Sequence, residues 1–142
     1  MPVAHGRITS TILIQQRQVI MIDAGDIDRG IASHARWKYR LFDAVKTGES
    51  EWTVEQIRSH TDCQFGHWLA TLTPDERRSE QCTTVVALHQ EFHQAAAEVL
   101  NLALQKQTEA AQAAIELNSP FSLVSANLTA AMTAWKESLS KS

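Results

Sequence analysis

The chain has 142 residues, which is the length of a single domain that can bury one hydrophobic core. Hydrophobic residues make up 44% of it and charged residues 20%, a balance that excludes a disordered chain and is typical of a globular protein. The formal net charge of −3, with scattered Lys and Arg, excludes a basic nucleic-acid-binding surface, and the apolar runs are too short for membrane insertion.

The N-terminal residues are the least regular part of the chain. Residues 8–22, "ITSTILIQQRQVIMI", have the β-branched content of a strand, but no second strand is available to pair with them. We therefore expect residues 1–21 to form an extension or arm, helical rather than β, and residues 22–142 to form the domain.

The first clear helix is predicted over about residues 22–46. Thr47-Gly48 is a natural helix stop, because glycine readily adopts the left-handed conformation after a helix end. His34 comes three residues after Ile31 and is therefore expected to face the core. The apolar stripe consists of Ile27, Ile31, Leu41 and Val45, with Trp37 at its edge.

Three short stretches follow this helix. Thr53 and Gln56 have the spacing of a capping box and predict a short helix. The segment "CQFGHW" at 63–68 is a compact apolar turn. Thr73-Pro74-Asp75-Glu76 is a stronger helix start, with a Thr cap, Pro at the first helical position and Glu three residues after the cap.

Two further helices complete an all-α, four-helix-bundle-like fold, with an additional short helix carrying Cys63. A long helix is predicted over about 82–107, and the alanine-rich sequence up to Leu117 is expected to extend it. Asn118-Ser119-Pro120 breaks the pattern and caps the last helix. The stripe of the long helix is Val85, Leu88, Phe92, Ala96, Val99 and Ala103, and that of the last helix is Val124, Leu128, Ala131, Trp135 and Leu139.

Two histidines of the long helix suggest a metal site. His89 and His93 are four residues apart, so their imidazoles lie one turn apart on the same face. Such a pair alone is commonly only a pair of partly exposed side chains. His34 points inward from another helix, however, and Cys63 lies in a turn where Gly66 allows close backbone packing. Together the four side chains predict a shared metal ion.

The donor set favours zinc among the common metal ions. Three neutral imidazoles and one thiolate make a complete tetrahedral shell for Zn²⁺. The soft thiolate disfavours Mg²⁺ and Ca²⁺, and Cu²⁺ would be redox-active against it. Phe65 and Trp68 are available to shield the sulfur of Cys63.

Three blocks in this order, "HARWK" at 34–38, "CQFGHW" at 63–68 and "HQEFH" at 89–93, resemble the chemoreceptor zinc-binding (CZB) domain. The resemblance extends over about residues 22–140. It implies a cytoplasmic, four-helix-bundle-like homodimer that holds zinc through three His and one Cys. The implied ligands are His34, Cys63, His89 and His93.

The resemblance also implies a regulatory role, because such domains are attached to bacterial chemoreceptors or diguanylate cyclases. This sequence has neither a long signalling hairpin nor a GG[DE]EF motif, so we expect a stand-alone regulator or a fragment. The expected signals are zinc availability and oxidants such as hypochlorous acid, sensed by Cys63 as a redox switch. The expected output is chemotaxis or cyclic-di-GMP signalling through a receptor or cyclase partner.

Three other interpretations compete with a sensor. A zinc hydrolase would need a general base directly after His89, where Gln90 stands; Glu91 lies about 200° round the helix. We therefore do not expect an enzyme. A hemerythrin-like di-iron bundle would need a carboxylate four residues after His34, where Lys38 stands. A structural dimerisation module remains the main alternative, either stapled by the metal or as a metal-free bundle that serves only as a scaffold.

The remaining histidines and the second cysteine are expected to lie outside the metal site. We assign His60 and His67 to the surface, with His67 the more plausible substitute ligand, and His5 to the tail. Cys82 is expected to be a small buried residue near a helix start. Two cysteines do not make a disulfide framework, and a signal peptide is not apparent, so a reducing cytoplasmic location is expected.

Overall fold

The computed structural model describes residues 22–140, and all regular structure in this part is helical. The all-α fold class predicted from the sequence is therefore confirmed. The arm predicted over residues 1–21 lies outside the described residues. The seven helices are α1 (Ala24–Thr47), α2 (Val54–Arg58), α3 (Gln64–Ala70), α4 (Pro74–Arg77), α5 (Glu80–Leu104), α6 (Thr108–Ala114) and α7 (Pro120–Ser140).

Helix α1 has a defined cap at each end. The Asp23 side chain accepts a hydrogen bond from the Gly25 N–H at 3.0 Å, which satisfies one of the free donors of the first turn. At the other end Gly48 has φ of +74° and donates its N–H to the Ala44 carbonyl. The predicted stop at Thr47-Gly48 is thus confirmed, and the helix begins two residues later than the sequence pattern indicated.

The three long helices α1, α5 and α7 pack on one another and enclose the core. The short helix α2 lies against α5, and α3 lies against α1. Burying each large apolar side chain stabilises the fold by about 1.5–3 kcal/mol relative to leaving it exposed. The largest fully buried apolar side chains are Trp135, Phe92, Ile27, Leu41, Leu100, Leu128 and Met132. No helix in the described part is long and apolar enough to cross a membrane.

The expected extension of α5 to Leu117 is wrong, because the helix ends at Leu104. Lys106 adopts a left-handed backbone with φ of +62°, and the Gln107 N–H then bonds to the Leu102 carbonyl at 3.0 Å. The high helix propensity of alanine predicted continuity, but the turn lets α6 fold back onto α5 and bury Ala111 completely. Tertiary packing therefore overrides local propensity here.

The short helices connect α1 to α5 through well-defined caps. The capping boxes predicted at Thr53 and at Thr73 are both present. The Arg77 guanidinium of α4 donates to the Leu69 carbonyl at 3.0 Å and to the Leu72 carbonyl at 3.2 Å. Because these carbonyls lie at the end of α3 and just after it, Arg77 holds the Cys-bearing segment in place.

Candidate metal centre

Four side chains from three different elements meet in the interior of the bundle. His34 comes from α1, Cys63 from the position just before α3, and His89 and His93 from α5. One potential ligand atom from each lies within 4.8 Å of those of the other three. The three histidines are between 1% and 4% exposed, and Cys63 is half-buried. The four residues singled out in the sequence are therefore brought together.

The i, i+4 spacing on α5 places its two imidazoles as the sequence predicted. The ring centroids of His89 and His93 are 4.6 Å apart and their planes lie at 81°. The His34 ring is 5.0 Å from that of His89 and 5.8 Å from that of His93, again nearly perpendicular to both. The Nε2 atom of His89 is 3.2 Å from the Sγ atom of Cys63. The rings thus meet edge to face around a common point.

Two backbone carbonyls orient the histidines toward that point. The Nδ1 atom of His34 is 2.8 Å from the Gly30 carbonyl oxygen, and the Nδ1 atom of His93 is 2.6 Å from that of Ile57. A carbonyl oxygen can only accept, so each Nδ1 carries the hydrogen and donates it, and each Nε2 keeps its lone pair. The Nε2 atoms of His34 and His93 are buried and have no hydrogen-bond partner. This arrangement is typical of metal-binding histidines, whose other ring nitrogen bonds to a carbonyl or carboxylate.

Burial keeps the three imidazoles neutral. It lowers the pKa of His34 to about 4, against the opposing effect of the Gly30 carbonyl. Burial lowers the pKa of His89 to about 2, and the neighbouring histidines add to the effect. The pKa of His93 is also lowered, mainly by burial. All three rings therefore present a lone pair at neutral pH, which is the form that binds a metal ion.

Cys63 is both the fourth donor and the N-cap of α3. Its Sγ atom accepts a hydrogen bond from the Gly66 N–H at 3.2 Å, and it also lies 3.6 Å from the His60 carbonyl oxygen. Burial raises the pKa of the thiol, while backbone N–H groups, that of Gly66 foremost, oppose the rise. A bound divalent cation reverses this balance, because a coordinating thiol is deprotonated outright.

Two glycines let the helices approach closely enough to build the centre. A Cβ atom on Gly66 would stand 1.9 Å from the His60 carbonyl oxygen, so the close packing predicted for Gly66 is confirmed. A Cβ atom on Gly30 would stand 2.4 Å from the Phe65 ring. The sequence reasoning missed Gly30, although its place one turn before His34 on the same helix face was a usable signal.

Aromatic side chains pack against the histidines of the centre. Phe65 is 2% exposed and its ring centroid lies 5.5 Å from that of His34 and 5.2 Å from that of His89. Trp68 is half-buried and packs between Phe65 and Trp135, at centroid distances of 5.4 Å and 5.6 Å. Phe65 therefore packs against two of the candidate ligands, with Trp68 packed behind it, while the shielding of the Cys63 sulfur by these two side chains stays a prediction.

The neighbouring polar residues are placed differently from one another. His67 is exposed, as assigned, but His60 is half-buried and its ring centroid lies 6.0 Å from that of His89. Of the two, His60 is therefore the one beside the centre, contrary to the expectation that His67 was the more plausible substitute. Cys82 is fully buried, as predicted. Gln90 and Glu91 are both exposed, so neither places a base at the cluster.

The donor set fits a zinc ion. Zinc bound at its usual distances to nitrogen and sulfur holds neighbouring ligand atoms about 3.3–3.6 Å apart. The Cys63–His89 pair is at 3.2 Å and every separation in the group is within 4.8 Å, so small shifts of these side chains would bring the four atoms to such distances. The two orphaned Nε2 atoms gain the partner that burial otherwise denies them.

Comparison with protein families agrees with this geometry. Residues 34–100 match the family model of the chemoreceptor zinc-binding domain. The matched segment includes all four side chains of the cluster. Comparisons with curated proteins and with solved structures gave no significant match. The segment 34–100 thus resembles the chemoreceptor zinc-binding domain, and the four side chains within it are positioned to bind Zn²⁺.

Proposed function

We propose that this chain is a zinc-binding sensory module and that the ligands of the ion are His34, Cys63, His89 and His93. The observation that carries the proposal is the convergence of three buried, neutral imidazoles and one thiol within 4.8 Å. Two of these imidazoles have Nε2 atoms with no other partner. Such a set is costly to bury unless a metal ion occupies it.

Cys63 is the proposed switch within this site. Zinc stabilises the thiolate, which is the oxidisable form of sulfur. The thiolate attacks the chlorine of hypochlorous acid, forming an S–Cl bond and releasing hydroxide. Water then displaces chloride to give the sulfenic acid, so sulfur loses two electrons and chlorine gains them. The site then keeps three neutral imidazoles and loses its anionic ligand.

The position of Cys63 at a helix start favours propagation of this change. The same Sγ atom accepts the Gly66 N–H at 3.2 Å, so oxidation alters a helix cap and a metal bond together. The segment that includes α3 is then released from α1 and α5, an order-to-disorder change. A fall in zinc supply acts on the same segment by emptying the site.

The proposed output is regulation of chemotaxis or cyclic-di-GMP signalling through a receptor or cyclase partner in the cytoplasm. A role without catalysis of its own is supported by the four candidate ligands, which leave a tetrahedral zinc no open position for water. The exposed positions of Gln90 and Glu91 also disfavour a hydrolase. A di-iron centre is disfavoured because the cluster contains no carboxylate.

Titration with hypochlorous acid tests the sensor. Zinc-loaded protein is titrated while a chromogenic chelator reports free zinc and mass spectrometry follows Cys63. We expect zinc release in step with oxidation of Cys63, before Met132 and the fully buried Cys82 are oxidised. Elemental analysis of protein purified without added metal should give one zinc per chain.

A metal-stapled structural module is the second candidate. The observation that favours it is the packing of Phe65 against the His34 and His89 rings, with Trp68 packed behind Phe65. In that case zinc stays bound and Cys63 stays unmodified after Met132 and Cys82 have been oxidised. That result would overturn the sensor and leave the zinc site standing. Stoichiometric iron, or less than about half a zinc per chain, would overturn the site itself.

A further inference from the structure

A cavity of about 190 Å³ lies beside the metal centre, between α3, the turn before it and α5. His89 and Gly66 form part of its wall next to the centre, and His60 forms another part. Exposed residues of the same wall, Thr61 and Gln90, place its outer end at the surface. A water molecule needs only about 10–15 Å³ of such space, so the cavity accommodates several waters.

One of the four candidate ligands lines this cavity, whereas none of them lines the neighbouring cavity on the other side of α3. The neighbouring cavity, of about 200 Å³, is lined by Gly30, Ser33 and Phe65 among others, and none of the four candidate ligands contributes to its wall. Phe65 also closes it from the His34 ring, against which it packs edge to face. The cavity beside His60, by contrast, has the candidate ligand His89 in its wall.

His60 stands between the surface and this ligand. Its ring is half-buried, and the ring centroid lies 6.0 Å from that of His89. His60 is nevertheless not one of the four residues whose ligand atoms converge. Its backbone packs closely, because its carbonyl oxygen lies 3.6 Å from Cys63 Sγ and would be 1.9 Å from a Cβ atom on Gly66. The side chain is carried by a turn between α2 and α3 and not by a helix. An imidazole in this place can contact an ion that has not yet reached the buried cluster.

We propose that this cavity is the route by which zinc enters and leaves the centre, and that His60 is a transient ligand that passes the ion to and from His89. The proposal rests on the proposed ligand set. An ion on the route exchanges a water for the His60 ring and then that ring for the Nε2 atom of His89. Zinc forms such bonds to neutral imidazole readily, and a stepwise exchange avoids stripping all of its waters at once. His60 thereby acts on the rate of exchange and not on the final affinity.

Two variants test the two parts of the proposal separately: one removes the His60 imidazole, and the other narrows the cavity. His60→Gln keeps the bulk of the side chain but removes the imidazole, and His67→Gln is its matched control because His67 is exposed. Val86→Phe narrows the cavity, whose wall includes Val86. Leu102→Phe is the control, since Leu102 is also half-buried on α5 but does not line the cavity.

The measurement pairs a rate with an equilibrium constant. Zinc-loaded protein is mixed with excess chromogenic chelator to give the dissociation rate, and competition with a chelator of known affinity gives Kd. We expect His60→Gln and Val86→Phe each to slow release by about tenfold while Kd changes less than about twofold, so that entry slows equally. Both controls should release zinc at the unaltered rate.

Each other outcome counts against the proposal in its own way. Unchanged release in both variants would overturn it, and faster release from His60→Gln would make His60 a plug and not a ligand. A raised Kd with unchanged entry would make His60 a permanent part of the site. An unaltered protein that binds no zinc at equilibrium would instead overturn the proposed function, so the two failures are distinguishable.

Discussion

The sulfur of Cys63 has two roles that compete for the same lone pairs. It caps α3 by accepting the Gly66 N–H, and it faces the Nε2 atom of His89 at 3.2 Å. In the absence of a cation, burial raises the pKa of the thiol, so the neutral form is favoured. Zinc binding and thiol ionisation are therefore coupled at this one atom, because binding of the ion releases the thiol proton.

Replacing this sulfur should weaken the site without unfolding the bundle. Cys63→Ser keeps a side chain that can cap α3, because serine is a good N-cap, but it removes the thiolate. Losing an outer-shell partner costs about 10–100-fold in metal affinity, so we expect losing this ligand to cost more than about 100-fold. Chelator competition measures the change. His67→Ala is the control, and an unaltered affinity of Cys63→Ser would remove Cys63 from the ligand set.

The buried imidazoles should make the zinc-free protein sensitive to acid. Burial lowers the pKa of His34 from 6.5 to about 4 in the folded state, so the unfolded chain binds a proton that the folded one excludes. The contribution of neutral His34 to the free energy of unfolding is fully present above pH 6.5, and it is lost as the pH drops toward 4. His34 alone accounts for a loss of roughly 3 kcal/mol over this range.

Urea unfolding followed by tryptophan fluorescence at pH 7 and at pH 5 measures this effect. The zinc-free protein should unfold at a clearly lower urea concentration at pH 5. Equal midpoints at the two pH values would contradict burial of a neutral His34.

At the scale of elements, the turn between α2 and α3 packs against α3 through close backbone contact. The His60 carbonyl oxygen lies 1.9 Å from the place where a Cβ atom on Gly66 would stand. The Arg77 guanidinium holds the other end of α3 through the Leu69 carbonyl. The position of Cys63 therefore depends on how this turn and α3 pack against their neighbours, because both are too short to be stable alone.

A single methyl group on α3 tests this dependence. Gly66→Ala places Cβ 1.9 Å from a backbone oxygen that cannot move without moving the turn. Overpacking typically costs 1–3 kcal/mol, and we expect a loss of about 3 kcal/mol together with weaker zinc binding. Thermal unfolding and chelator competition measure the two effects.

Gly25→Ala is the matched control for that substitution. A Cβ atom on Gly25 would be 3.5 Å from its nearest neighbour, an ordinary contact. Alanine also restricts the unfolded chain, so this variant should be as stable as the unaltered protein or slightly more stable. Equal stability of Gly66→Ala and Gly25→Ala would contradict the packing argument.

At the scale of the whole molecule, three long helices bury one continuous core that includes the metal centre. His34, His89 and His93 lie among apolar side chains, with the Phe92 ring 4.9 Å from that of His34. An ion held by these three side chains would join α1 to α5 from within. Binding a ligand only to the folded state adds stability, so zinc should raise the temperature of unfolding.

The family resemblance implies a homodimer, and a short bundle commonly completes its core with partner helices. We expect light scattering at micromolar concentration to give about twice the chain mass of 15.8 kDa. Removal of residues 1–21 should weaken association if this segment is the cross-subunit arm expected from the sequence. A particle of the chain mass at all concentrations would count against the dimer.

The sequence by itself determined the helical class, most helix ends and the four residues of the centre. The reason is that these features are written locally: capping boxes, Gly48 after a helix, and an i, i+4 histidine pair on one face. The three blocks that resemble the family added the pairing of distant residues, which spacing alone does not provide.

Only the tertiary structure decided how those residues are held. Contacts between separate segments place the Ile57 carbonyl against His93 and the His60 ring beside His89. They also bring the Phe65 ring so close to Gly30 that no Cβ atom fits there. The break after Leu104 is of the same kind, because burial of Ala111 outweighs a local preference for continuous helix. Local patterns fix which residues face inward, but the packing of helices against one another decides which atoms meet.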